Sequence, residues 1–398
     1  MYFLRATCRG GRGGSVWLLM LVLALSAGLL ATPVRSAEFA TRAKHAILMD
    51  ADTGAVLFER AANVPVPPAS MSKLMTLAVV FRALKDGRLK PEDEFLISEN
   101  AWRTGGAPSR TSAMLIPINT KVRLDQLLQG IIVQSGNDAC IAIAEGMAGS
   151  EAAFAKIMET EARRIGLKTA RFGNSTGLPH PDNLVSMREL AMLGRFLMRT
   201  YPDYYKYFAQ KEFVYRRHRF INRNPLLFLD IGADGLKTGF LSESGYGVVG
   251  SAKQGTRRLI VAMNGLATKE DRKTEARKLL EWGFRSFSEF KIFDAGEVVG
   301  QALVWGGERM YVPLTGNGDI KILLPRFNLK QTLSASIVYQ SPLKAPIKKG
   351  DQIAVLRVVT SAQATNEVPL YAAEDVPAGG FMRKGLHSLL HLAFKWVL

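Results

Sequence analysis

A chain of 398 residues, 47% of them hydrophobic and carrying charges of both signs, is long enough to bury two cores and too apolar to be disordered. Its net charge of +17, still +13 once Arg5, Arg9, Arg12 and Arg35 of the first 36 residues are set aside, points to anionic partners such as lipid headgroups or envelope polymers. No nucleic-acid module is recognisable, which argues against nucleic acid; five scattered histidines and two cysteines, Cys8 and Cys140, offer no metal-ligand spacing, so neither a metal nor another cofactor is expected.

Residues 1–37 join a basic start, an uncharged apolar run over 16–31 and small residues around Ser36 and Ala37. This is the pattern of a secretory leader, and the run is short for a membrane span. Removing it leaves Cys140 as the one thiol, read as a small buried hydrophobe. Residues 45–50 and 55–59, joined by Asp52-Thr53-Gly54, predict a β-hairpin. Behind Pro67-Pro68 the apolar spacing turns helical over 70–84. The stretch 105–112, rich in Gly, Pro and Ser, is either a flank of a substrate cleft or a solvated connector. Helices are predicted over 122–132, 138–147 and 151–165. Residues 172–182, with Gly173, Gly177, Pro179 and Pro181, read as an irregular loop. Ser186 and Glu189 then predict a capping box for the following helix. The Lys237 segment with residues 248–252 and 259–263 predicts an antiparallel meander, closed by a helix over 275–282. Residues 38–288 therefore form one expected domain, a sheet packed between helices. From 289 to 378 short strand-like runs separated by turn residues predict a small all-β sandwich. Residues 379–398 are expected to form an amphipathic helix, with Lys384, His387, His391 and Lys395 on one face and Met382, Leu386, Leu389, Leu390 and Val397 on another. In-plane binding to an anionic membrane surface is favoured over packing on the β-domain.

Three short motifs carry chemistry. Ser70 and Lys73, three residues apart, share one helical face, so an amine can reach a hydroxyl as a Ser-Lys nucleophile pair requires. Alone the pattern is weak, because a capping serine and a solvated lysine look the same. Ser135-Gly136-Asn137 and Lys237-Thr238-Gly239 follow it in the order found in active-site-serine enzymes that bind penicillin. A serine hydroxyl needs a base at neutral pH, so Lys73 has to be uncharged. Burial and a nearby cation at Lys237 are expected to lower its pKa.

Together with Ala46-Ile47-Leu48-Met49-Asp50, Thr53-Gly54, Asn222-Arg223-Asn224, Asp234-Gly235-Leu236 and Trp282-Gly283-Phe284, these motifs make the chain resemble the low-molecular-mass penicillin-binding proteins that act as D-alanyl-D-alanine carboxypeptidases, peptidase family S11. The resemblance covers essentially everything after the leader. It implies an α+β fold: a serine β-lactamase/DD-peptidase-like domain, with an antiparallel sheet flanked by helices plus a helical subdomain, then the small all-β domain and the C-terminal amphipathic helix. It implies Ser70 as nucleophile, Lys73 as general base and Ser135 as proton relay to the departing D-alanine. Asn137 would hold the substrate amide, and Lys237 and Thr238, followed by Gly239, the terminal carboxylate. The backbone N–H groups of Ser70 and Phe240 would form the oxyanion hole. Arg223 and Arg272 would assist with the carboxylate, or be surface ion-pair residues. The implied partners are peptidoglycan stem peptides and β-lactam antibiotics, and the implied place is the periplasmic side of the inner membrane. Gly136 stands where β-lactamases carry Asp, and Phe240 where some relatives carry His. The loop 172–185 lacks the glutamate with which class A β-lactamases activate the deacylating water, which argues against fast lactam hydrolysis. A DD-endopeptidase is the close alternative; a β-lactamase or an idle wall-assembly scaffold is more distant.

Overall fold

The structure, a computed structural model, describes residues 39–326, 333–360 and 365–380. The expected leader and the expected C-terminal amphipathic helix lie outside the described residues.

Strand β1 (His45–Asp50) turns back into β2 (Val56–Arg60) where Asp50 Oδ1 accepts hydrogen bonds from the backbone N–H and the hydroxyl of Thr53, both at 2.8 Å. Then come helix α1 (Lys73–Lys85), the pair β3 (Glu94–Leu96) and β4 (Lys121–Arg123), and helices α2 (Leu124–Gln129), α3 (Asn137–Ala148), α4 (Glu151–Ile165) and α5 (Met187–Thr200). A hairpin of β5 (Glu212–Tyr215) and β6 (His218–Ile221) leads to the meander β7 (Ala233–Leu241), β8 (Gly245–Gln254) and β9 (Arg257–Leu266), and α6 (Lys269–Ser286) closes this part.

The predicted hairpin and the predicted meander are one sheet. β1 pairs antiparallel with β9, giving the order β2-β1-β9-β8-β7 and leaving β7 at the edge. Its central strands β1 and β9 carry near-continuous apolar runs, over 46–49 and 259–263, because both faces are covered there. On one face Ile47, Met49, Val249, Ile260 and Ala262 join the core built by α1, α3, α4 and α5. On the other, Leu48, Val248, Leu259, Val261 and Met263 pack on Ala276, Leu279 and Leu280 of α6.

Two predicted helices have different limits. The one expected over 122–132 is split: buried Val122, flanked by exposed Lys121 and Arg123, pairs with Phe95, and only Leu124–Gln129 is α-helical. A widened turn, Gly130–Gln134, follows and delivers Ser135. The closing helix begins earlier than its apolar spacing indicates, because Thr268 caps it by accepting from Asp271 N–H at 2.9 Å and its first turn is polar.

Beyond α6 the chain is all β: β10 (Phe287–Phe293), β11 (Val298–Trp305), β12 (Tyr311–Thr315), β13 (Ile320–Pro325), β14 (Leu333–Val338), β15 (Leu343–Lys344), β16 (Gln352–Thr360) and β17 (Thr365–Ala372). Six of these pair in the order β15-β11-β12-β17-β16-β14, and β10 pairs with β13. Ile320 and Ile322 of β13 share a core with Ala302, Val312, Leu356 and Leu370 of the larger sheet. No helix among the described residues is long and apolar enough to cross a membrane.

Candidate active site

Ser70 lies on a short 3-10 turn, Ala69–Ser72, which runs straight into α1. Lys73, the first residue of α1, is wholly buried, and its Nζ sits 3.1 Å from Ser70 Oγ, 2.7 Å from Asn137 Oδ1 and 2.5 Å from the carbonyl oxygen of Thr176. An ammonium has three N–H donors and no lone pair, so these three oxygens match a charged Lys73. A neutral amine keeps two donors, enough for Asn137 and Thr176. Its lone pair then faces Ser70 Oγ and can accept the hydroxyl proton.

The loop holding Thr176 is fixed by its own polar groups. Asn174 Oδ1 accepts from the Thr176 N–H, the Thr176 hydroxyl and the Gly177 N–H at 2.7–3.2 Å, and the Thr76 hydroxyl of α1 donates to Ser175 O at 2.6 Å. Gly177 is at φ +75°, and a Cβ there would lie 2.0 Å from Ala69 O, so only glycine lets this loop pack under the nucleophile turn. The same constraint acts from the sheet side, where a Cβ on Gly239 would lie 2.8 Å from Pro68 O.

Ser135 adopts a left-handed conformation (φ +65°) at the end of the widened turn. Its hydroxyl is buried, lines the cleft and has no hydrogen-bond partner. Asn137 follows at the start of α3; its side chain donates to Thr111 Oγ1 at 2.9 Å and its backbone N–H to Ser112 O at 2.8 Å. Those bonds settle the reading of the 105–112 stretch: it flanks the cleft, with Ser112 in the lining.

On edge strand β7, Lys237 and Thr238 are both buried. Thr238, Gly239 and Phe240 line the cleft, a cavity of about 640 Å³ bounded also by Ser70, Ser135, Arg223, Tyr246, Lys269 and Arg272. Arg223 donates to Ser112 Oγ at 2.5 Å, and Arg272 is 9% exposed with its Nε buried and unpartnered. Neither forms an ion pair among the described residues, so the surface ion-pair reading does not describe them. Phe240 is 51% exposed and stacks on Tyr246, with ring centroids 4.3 Å apart.

Burial drives the electrostatics. It lowers the Lys73 pKa to about 8, with a further push from the Arg223 cation. Lys237 is driven well below the ordinary lysine value, first by burial and then by repulsion from Lys73 and Arg223. Burial comes first for both amines, Arg223 adds to both, and the repulsion between Lys73 and Lys237 is mutual, so each disfavours the charge on the other. Among the described residues no cluster of three or more His, Cys, Asp or Glu side chains could hold a metal ion.

A family model described as D-alanyl-D-alanine carboxypeptidase, peptidase S11, matches residues 32–267. The chain belongs to that family. A second model, the C-terminal domain of penicillin-binding protein 5, matches residues 287–378 of this carboxypeptidase. The enzyme is 34% identical over 352 residues to D-alanyl-D-alanine carboxypeptidase DacA of Escherichia coli, an alignment spanning 88% of this chain and 87% of that one. It resembles the crystal structure of penicillin-binding protein 5 from Haemophilus influenzae with a TM-score of 0.72 at 33% identity, covering 85% of this chain and 99% of that one. It also resembles penicillin-binding protein D2 from Listeria monocytogenes in its ampicillin-bound form, with a TM-score of 0.54 at 26% identity, covering 62% of this chain and 99% of that one. The protein is thus a serine-type D-Ala-D-Ala carboxypeptidase with an α+β catalytic part followed by a β-rich part, and its substrates are peptidoglycan peptides.

The structure brings Ser70, Ser135, Thr238, Gly239, Phe240, Arg223 and Arg272 to one cleft, with Lys73, Asn137 and Lys237 buried against it. Sequence reasoning missed Thr176, Asn174, Tyr246 and Lys269, and reached Ser112 only as the end of a stretch that could flank the cleft. Thr176 acts through its carbonyl, which no side-chain pattern signals. Tyr246 and Lys269 could have been found only from strand register and the true start of α6.

Proposed function

We propose that Ser70 is acylated by the penultimate D-alanine of a stem peptide, with neutral Lys73 as its base. The observation that carries this reading is the buried Lys73 amine held by Asn137 and Thr176 at 3.1 Å from Ser70 Oγ. The Ser70 proton moves to Lys73 Nζ as Oγ bonds to the carbonyl carbon of the D-Ala-D-Ala amide. The carbonyl oxygen becomes an oxyanion held by the backbone N–H groups of Ser70 and Phe240; one such donor is worth about 3 kcal/mol. Ser135, whose buried hydroxyl faces the cleft without a protein partner, passes the proton from Lys73 to the departing amine as the C–N bond breaks. Lys73 is then neutral again for the water that hydrolyses the ester. Asn137 orients the substrate amide. Lys237, Thr238 and Arg272 hold the terminal carboxylate, whose charge favours the protonated form of Lys237.

A β-lactam would acylate Ser70 by the same route, as suggested by the ampicillin-bound relative from Listeria. Slow deacylation is expected, since Glu189 in α5 is engaged by Thr169, Ala170 and Ser186. We further propose a division into a leader over 1–37, a catalytic domain over 38–288 and a β-domain over 289–378. Residues 379–398 would hold the enzyme on the periplasmic face of the inner membrane. The direct test is D-alanine release from a pentapeptide. The wild type should release it while Ser70→Ala should neither release it nor bind labelled penicillin covalently; covalent labelling of Ser70→Ala would overturn the nucleophile assignment.

A further inference from the structure

The cleft holds more positive charge than one terminal carboxylate can use. Arg223, Lys269 and Arg272 line it, Lys237 lies next to Thr238, and no lining residue among those described is acidic. A carboxylate has two oxygens and is satisfied by one bidentate guanidinium, or by an amine and a hydroxyl. With Lys237, Thr238 and Arg272 around the terminal carboxylate and Arg223 donating to Ser112 Oγ, Lys269 is left over.

Among the described residues Lys269 has no counter-charge of its own. It is the first residue of α6 and lies three residues before Arg272, so both side chains share a helical face. Its two acidic neighbours are already engaged. Glu270 pairs with Lys273 at 3.4 Å, while Asp271 takes Arg42 at 2.7 Å and the Thr268 hydroxyl at 2.7 Å. Lys269 is exposed at the cleft, where its ammonium is open to a bound chain.

The wall between the two ends is well defined. Thr238 and Phe240 alternate onto one face of β7, Phe240 stacks on Tyr246 of β8, and the Arg272 guanidinium lies over the Tyr246 ring at 5.6 Å. A peptide laid along edge strand β7 with its terminal carboxylate at Thr238 passes the Phe240 N–H at the scissile carbonyl. Its upstream residues then continue along the Phe240–Tyr246 wall, at roughly 3.4 Å per residue, toward the end of the sheet where Tyr246 pairs with Leu266, three residues before Lys269.

We propose that Lys269 forms a second anion subsite that reads a free carboxylate on the stem peptide upstream of D-Ala-D-Ala, so that the enzyme selects diacidic over monoacidic stems. This rests on the reading that Lys237 and Thr238 hold the terminal carboxylate. Because the ammonium is solvent-accessible, the selectivity is modest and sensitive to salt.

The test uses the full-length enzyme and two synthetic peptides ending in D-Ala-D-Ala, alike except that the residue before them carries a free carboxylate or its carboxamide. D-alanine release should favour the carboxylate form about three- to five-fold in kcat/KM at low salt. The preference should shrink in high salt, fall to near one in Lys269→Gln and persist in Lys269→Arg. Equal turnover of both peptides by the wild type, or a preference that survives Lys269→Gln, would overturn the subsite. A third peptide ending in D-Ala-D-Ala-amide separates the underlying reading. Processing of the amide as fast as the acid would overturn the placement of the terminal carboxylate, and with it the direction of the chain on which the subsite depends.

Discussion

Lys73 and Lys237 are two amines buried beside one cleft, and burial acts on both in the same direction. Lys73 is lowered to about 8, so on the order of a tenth of the free enzyme carries the neutral base at pH 7. Lys237 is also driven well down, and an arriving anion pushes its pKa back up. Binding a terminal carboxylate next to Thr238 should therefore draw a proton from solution. Calorimetry of an unreactive D-Ala-D-Ala analogue at pH 8, repeated in buffers of different ionisation enthalpy, should report net proton uptake; release, or no exchange, would contradict the assignment of Lys237. Lys73→Arg tests the base itself. A guanidinium stays charged at any working pH and has no lone pair to offer. The loss expected for a general base is about 10²–10⁴-fold in acylation rate, read as penicillin labelling against time.

At the scale of elements, the site depends on close approach of backbone to backbone. The loop around Gly177 presses on Ala69 O, and from there Thr176 O reaches the Lys73 amine. Gly177→Ala should cost about 1–3 kcal/mol from the left-handed backbone and the clash. The variant should melt several degrees lower and acylate at least ten-fold more slowly, whereas unchanged labelling kinetics would detach the loop from the chemistry. Glu189 belongs to the scaffold. Burial alone would raise its carboxyl, but hydrogen bonds from Thr169 and Ser186 outweigh this and hold it below the usual value. Its contribution to stability is thus present at neutral pH and lost as pH falls through its native pKa. Glu189→Ala should lower the melting temperature and leave the lifetime of the penicillin acyl-enzyme unchanged. A much longer lifetime would mean that Glu189 serves deacylation.

Helices α4 and α5, the hairpin turn and the meander were legible because each rests on local spacing or a cap, such as Ser186 with Glu189. The split at 122–132 was not, since Val122 fits a helical stripe and a strand equally well until its pairing with Phe95 decides. Nor was the union of hairpin and meander, which is a long-range pairing of β1 with β9. Within the site, motif residues were readable from their types and spacing. Thr176 and Tyr246 were not, because one contributes a carbonyl and the other arrives through register.

On the scale of the whole molecule, the cleft lies entirely in the part before β10, and the β-domain contributes no lining residue among those described. Activity should accordingly be separable from attachment. A chain ending at residue 380 should release D-alanine at the wild-type rate and appear in the soluble periplasmic fraction. Its full retention on membranes would contradict the assignment of residues 379–398 as the anchor. With the proposed leader removed, the surplus of positive charge is +13, which would suit the proposed place between anionic lipid and anionic wall polymer.

The central claim is that an uncharged, buried amine takes the proton of Ser70, and the pH dependence of acylation tests it most directly. The second-order rate of labelling by a fluorescent penicillin, measured from about pH 6 upward, should rise with an apparent pKa of about 8, set by Lys73, and decline at higher pH as the carboxylate-binding Lys237 loses its proton. A rate that is flat, or that falls, as pH rises toward about 8 would contradict it.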